Sequence, residues 1–216
     1  SLASPILRDA DLAALRAYSS NDHSFDSATL DATFPSINAP RWLEHALDDL
    51  CSAADRALDA GATLLIISDR NVDAHRIAIP TVLALGAVHH HLIKTGRRST
   101  CSLVVETGDA SETHHVAVLI GYGAEAVNPY VALASVRDVA NERSRTPITA
   151  EQAEDNYVHA LEKGLLKIMS KMGISTIGSY CGAQIFEAFG LNHDVIERCL
   201  VGTPSRFKGA DLARLG

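Results

Sequence analysis

The chain is predicted to be an α/β fold with a mostly parallel sheet of repeated βα units, and two observations carry that prediction. Residues 63–68 (TLLIIS) and 102–106 (SLVVE) are unbroken apolar runs of strand length, as expected of strands buried on both faces of a parallel sheet. Between and beyond them lie stretches of ten to twenty residues with apolar side chains at three- and four-residue spacing. Strands alternating with such helices form βαβ units with right-handed crossovers.

In chain order, Leu30, Ala32 and Phe34 alternate with Asp31 and Thr33, predicting a strand over 30–34 that Pro35 ends. A helix over 41–60 follows, with Leu43, Leu47, Leu50, Ala54 and Leu58 on one face and Gly61 closing it. After the strand at 63–68, residues 80–95 read as a helix with Pro80 in its opening turn and Gly96 after its end. The strand at 102–106 leads to a short helix that Ser111 or Thr113 can cap and that ends near Gly121; residues 126–128 form a brief strand before Pro129. The polar stretch 141–147 reads as a loop within a single domain spanning 1–216. Thr149 and Gln152 then form a capping box, and Gly173 supplies the left-handed closing position of a long helix. Its apolar face is Tyr157, Leu161, Leu165, Ile168 or Met169, and Met172, while Lys163, Lys167 and Lys171 form a separate stripe. That stripe reads either as a solvated basic face or as a docking stripe for an acidic neighbouring domain. Residues 174–176 read as a last strand and 180–189 as a last helix.

At 216 residues, 47% hydrophobic and 21% charged, the chain can bury one sizeable core. A formal charge of -7 argues against nucleic acid or an anionic membrane as partner. No apolar run approaches the roughly 20 residues that span a bilayer. The opening SLASPILRDADLAAL has no basic leader and no apolar signal core, so a cytoplasmic protein is expected; the absence of an initial methionine suggests an excised or processed chain. Cys51, Cys101, Cys181 and Cys199 are far apart in apolar contexts, as befits buried free thiols in a reducing compartment.

Parallel α/β sheets collect ligand-handling groups at strand C-terminal ends. Asp69 and Arg70, Glu106 with His114 and His115, Asn128 to Tyr130, and Ser175 with Thr176 are therefore expected on one face. Glu106 with His114 or His115 could act as general acid and base; equally, Asp109 and Ser111 could cap helix amides while the histidines pack. Residues 173–179 could offer amides to a phosphate, although a plain strand-to-helix turn explains the same glycines. His89, His90 and His91 point about 100° apart on a helix and cannot share a metal, so a helix surface with one histidine turned inward is expected. Gly121, Tyr122 and Gly123 precede a strand instead of following one, which excludes a dinucleotide loop.

The densest block is 163–190, KGLLKIMSKMGISTIGSYCGAQIFEAFG. It resembles the end of the central domain of glutamate synthase large subunits, and other stretches resemble that domain in the same order: residues 79–80, 87–93, 105–108, 114–115, 121–124, 128–130, 156–157 and 202–206. The chain departs from the resembled pattern at Ser111, where arginine is usual, and at Thr113, where a bulkier aliphatic residue is usual.

The resemblance implies an incomplete, barrel-like α/β arrangement, since about five βα units are too few to close an eight-stranded barrel. It also implies a connecting role. In the family this domain joins a glutaminase domain with a terminal cysteine nucleophile to an FMN-binding domain that aminates 2-oxoglutarate, with ammonia passing through an internal tunnel. Residue 1 is serine and no flavin-domain sequence follows, so no catalytic residue, flavin, metal or iron-sulfur cluster is expected in this chain. FMN and the cluster belong to other domains, which are its expected partners, together with an electron-donor subunit or ferredoxin acting through the parent. Asp69, Arg70, Glu106, His114, His115, Lys167, Lys171, Ser175 and Thr176 are the candidate interface or tunnel residues. The alternative is a free-standing α/β enzyme or phosphate-binding module using the strand-end loops.

Overall fold

A computed structural model describes residues 4–18, 26–36, 42–142 and 148–215. Among these the strands are β1 (Asp26–Asp31), β2 (Thr33–Pro35), β3 (Ala62–Ser68), β4 (Arg76–Ala78), β5 (Ser102–Glu106) and β6 (Ala126–Asn128). The helices are α1 (Asp9–Tyr18), α2 (Trp42–Asp59), α3 (Thr81–Lys94), α4 (Thr113–Gly121), α5 (Tyr130–Glu142), α6 (Ala150–Lys171), α7 (Ile177–Tyr180), α8 (His193–Cys199) and α9 (Leu212–Leu215).

The main sheet runs β1-β3-β5-β6 with all pairs parallel. Its spatial order is its chain order, so there is no switch point; the sheet winds one way, as in part of a barrel. Period-two alternation divides its side chains between two cores. Leu65, Ile67, Leu103, Val105 and Val127 join the main core with α2, α3, α4 and α6. Leu64, Ile66, Val104 and Ala126 face the other way and are covered by Leu7, Leu12 and Leu15. The N-terminal segment and α1 therefore close the face that a complete barrel would turn toward its axis.

Several elements match the reading of the sequence closely: β3, β5, β6 and α2, although Arg41 lies outside the described residues. The capping box of α6 has both its bonds, Gln152 N to the Thr149 hydroxyl at 3.1 Å and Thr149 N to the Gln152 side chain at 3.0 Å. Met172, expected in the core, is 53% exposed because it lies past the last turn, at the C-cap. The strand expected over 30–34 is two strands. The Asp31 carboxylate accepts from Thr33 N and Oγ1, turning the chain so that β2 leaves the sheet and pairs antiparallel with β4.

Residues 174–176 are not a strand and 180–189 are not a helix. Gly173 (φ +71°) reverses the chain, Thr176 caps the short α7, and positive φ at Gly182 and Gln184 prevents helical continuation. The N-cap of α4 is Glu112, with no side-chain bond; Ser111 does not cap it, and Thr113 is its first residue. Asp109 accepts from Thr81 N and Oγ1 at the start of α3 instead. The expected loop over 141–147 begins inside α5, and 143–147 lie outside the described residues.

Of the three histidines on α3, His89 is buried. Its Nδ1 accepts from Arg98 Nε at 3.0 Å, and Gly123 (φ +118°) lies so close that a Cβ there would be 2.3 Å from that nitrogen. His91 Nε2 lies 2.6 Å from the Asp55 carboxylate, on another side of the helix. Burial, aided by the Arg98 charge, pushes the His89 pKa down from 6.5 to about 4. The unfolded chain therefore takes up a proton that the folded one refuses. Stability is full above pH 6.5 and falls as the pH drops toward 4, by up to about 3 kcal/mol. Urea unfolding of His89→Asn, compared with wild type between pH 7 and 5, should show this slope only in the wild type; parallel curves would refute it.

Candidate functional site

The C-terminal ends of the parallel strands form one registered row, Asp31, Ser68, Glu106 and Asn128. One row below, Thr29, Ile66, Val104 and Ala126 occupy the same face, so it changes from largely apolar to polar at its last layer. Glu106 is 1% exposed and saturated with donors. It accepts from Arg70 Nε at 2.5 Å, from Ser68 Oγ at 2.5 Å and from Arg16 Nη2 at 2.7 Å. Burial pushes its pKa up, but the bonds from Arg16 and Ser68 outweigh burial and hold it below the usual value. A carboxylate so held is a poor proton acceptor near neutrality.

Asp69 is committed in the same manner, accepting from the Thr107 hydroxyl at 2.7 Å and from Gly108 N at 2.9 Å. The Tyr130 phenol is pushed up to about 12 by burial and by its contact with Asp69. Arg70 lies 4.2 Å over the Tyr130 ring and donates to Asp9 at 2.9 Å. Asp9 also accepts from Arg137 at 3.1 Å and Asn128 Nδ2 at 3.1 Å, and Arg137 reaches Glu154 at 2.7 Å. A network of alternating charges thus ties α1, α5 and α6 to the strand ends.

The structure therefore brings Asp69, Arg70 and Glu106 together and separates the other candidates from them. His114 and His115 are exposed at the start of α4, where His115 Nδ1 accepts from Ser111 N at 3.2 Å. No bond joins either histidine to Glu106 among the described residues, because Glu106 is filled by arginine. Ser175 and Thr176 lie in the α6–α7 turn, where Thr176 Oγ1 bonds to Ser179. Lys167 and Lys171 are exposed on α6. Arg16, Asp9, Arg137 and Glu154, which complete the network, were missed: their partners are distant in sequence and no local spacing marks them.

Among the described residues no group of three or more His, Cys, Asp or Glu side chains is placed to hold a metal. No helix among them is long and apolar enough to cross a membrane. The cysteines are free, Cys101 and Cys199 buried and Cys51 and Cys181 half-buried. Burial pushes the Cys51 thiol up to about 11 and that of Cys199 to about 12, so both stay protonated and unreactive near neutrality.

A one-way parallel sheet with a polar strand-end layer defines a domain of the β/α-barrel type, incomplete at four strands among the described residues. Solved structures agree on the fold. Mandelate oxidase with benzoyl-formic acid superposes with a TM-score of 0.51 at 17% identity, over 79% of this chain and 41% of that one. Mandelate oxidase with (S)-2-phenylpropionate gives 0.51 at 15% identity, over 80% and 58%. The chain belongs to the glutamate synthase central domain family, whose model it matches over residues 1–192. It is 45% identical to the NADH glutamate synthase of Schizosaccharomyces pombe over 84% of this chain and 9% of that protein. It is 47% identical to the NADPH glutamate synthase large chain of Bacillus subtilis over 79% and 11%. It is 48% identical to ferredoxin-dependent glutamate synthase 1 of Arabidopsis thaliana over 77% and 11%. The chain thus spans about a tenth of the length of these relatives.

Proposed function

We propose that this chain is a single, non-catalytic connecting domain of a glutamate synthase. It links a glutaminase portion to an FMN-binding synthase portion and contributes to the wall along which ammonia passes between them. The observation that carries the reading is the closure of the strand ends: where a barrel-type domain presents its reacting groups, Glu106 and Asp69 are spent on the chain's own arginines, hydroxyls and amides. Their donor set does not suit a flavin phosphate either, because Arg16 and Arg70 are already ion-paired with buried Glu106, and Arg70 with Asp9 as well. FMN and an iron-sulfur cluster are accordingly assigned to other parts of the parent chain. The relatives are named for NADH, NADPH and ferredoxin, so the electron donor varies around a shared central domain. The free cysteines suit a reducing compartment such as the cytoplasm.

The test uses the full-length glutamate synthase carrying this chain, with Arg70→Ala and Tyr130→Phe. Glutamine hydrolysis and glutamate formation from added ammonium are each expected to stay within about threefold of wild type. A loss of about 100-fold in either, the least that removing a general acid or base usually costs, would overturn the non-catalytic reading.

A further inference from the structure

Helices α4 and α6 meet so closely at Gly164 that a Cβ there would lie 2.4 Å from the Thr113 hydroxyl oxygen. Around that contact, with Tyr180, Ile185 and Phe186, they line an open cleft of about 720 Å³. Its walls are mostly apolar, among them Leu161, Ile168 and Phe186, with exposed Met172 at its edge. Several polar groups break this lining. Lys167 and Lys171, one turn apart on α6, are exposed and have no carboxylate partner among the described residues, unlike the arginines at the strand ends. Tyr180 is fully buried, and its hydroxyl has no hydrogen-bond partner among the described residues. A buried hydroxyl left so costs about 1–3 kcal/mol. The start of α4 also lines the cleft, and no side chain caps it, so its first amides are open to an acceptor. Glu112 is the one carboxylate in the lining, against two ammonium groups.

We propose that this cleft receives an acidic segment bearing an apolar side chain, contributed by another part of the same glutamate synthase polypeptide. The inference rests on the connecting-domain reading. Charge complementarity selects the acidic character: the lysines and the open amides at the start of α4 seek acceptors, and apolar walls seek an apolar anchor. The source follows from length, since the relatives extend to about ten times the matched region and most of their polypeptide lies outside it.

In the full-length enzyme, the photoreactive residue p-benzoylphenylalanine at position 172 should crosslink to a peptide outside residues 1–216 that contains Asp or Glu near an apolar side chain. Reversing both charges with Lys167→Glu and Lys171→Glu should lower the crosslink yield about tenfold, the effect of about 1.4 kcal/mol of lost affinity. Both lysines are exposed, so folding should survive the change. Crosslinks confined to residues 1–216, crosslinks to a second copy of the enzyme, no crosslink, or a yield indifferent to charge reversal would each overturn the proposal. The half-reaction rates of the Tyr130→Phe enzyme, a change that keeps the ring under Arg70 and leaves the Glu106 ion pairs in place, distinguish the two failures. A loss of about 100-fold overturns the connecting-domain reading, whereas failed crosslinking with those rates retained overturns the docking proposal alone.

Discussion

Gly86→Ala is expected to destabilise the fold by about 3 kcal/mol or more, the upper end of what overpacking one methyl costs. Gly86 is buried in α3 where that helix crosses the end of α8. A Cβ at this position would lie 1.9 Å from the Cys199 carbonyl oxygen and 2.9 Å from its carbon. Both obstructing atoms are backbone, so no rotamer change relieves the clash; α3 and α8 must move apart, and the buried side chains around Cys199 and Leu85 lose contact. Gly178→Ala is the matched control. It lies in α7 with nothing within 4 Å of an added Cβ, so it should be neutral or gain about 0.5–1 kcal/mol from helix propensity. Equilibrium urea unfolding of the two variants compares them directly, and equal midpoints would show that the α3–α8 approach relaxes without cost.

That contact also marks how far the sequence carries. Residues 63–68 and 102–106 are legible as strands because burial on both faces leaves nothing but apolar side chains, whatever packs on them. The start of α6 is legible because Thr149 and Gln152 satisfy each other's backbone locally. In contrast β2 and β4 are three residues each, too short for any period, and exist because Asp31 turns the chain. Helix α1 is not legible in the sequence because the side chains it packs into the core are only Leu12 and Leu15, and its role depends on Leu64, Ile66 and Val104 far along the chain. Misreading 174–176 as a strand has a similar origin: β-branched Ile174 and Thr176 suit a strand, but Gly173 reverses the chain and leaves no sheet edge beside them.

The candidate site divides along the same line. That Asp69, Arg70 and Glu106 share a strand-end face follows from topology alone, since parallel strands in chain order place all their C-termini together. What those groups do there depends on Arg16 and Asp9, which arrive from α1. Sequence spacing proposed His114 or His115 as the partner of Glu106, and the fold supplied two guanidinium groups and a serine hydroxyl instead. The difference is chemical as well as spatial: a histidine partner would share a proton with the carboxylate, whereas arginine keeps it ionised.

Glu106→Gln is therefore expected to cost about 2–3 kcal/mol near neutral pH. Removing one partner of a buried ion pair commonly costs about 3–5 kcal/mol. Arg16 and Arg70 are respectively 37% and 42% exposed, so water recovers part of their solvation and the lower figure applies. The charge also gives a pH signature. Burial acts to raise the Glu106 pKa, and hydrogen bonds from Arg16 and Ser68 together hold it below its usual 4.5. A carboxylate whose folded pKa is depressed contributes stability that is present above its unfolded value and is lost as the pH falls through the folded one. Wild type should thus lose its advantage over Glu106→Gln below about pH 4.5, and the two unfolding curves should converge as acid is added. His89 acts in an adjoining window, from pH 6.5 down to about 4, but it is present in both proteins and cancels in their difference. A difference that persists unchanged well below pH 4 would mean that the Glu106→Gln variant fails for reasons of shape and not of charge, and that the arginines at the strand ends are held by packing instead of by the carboxylate.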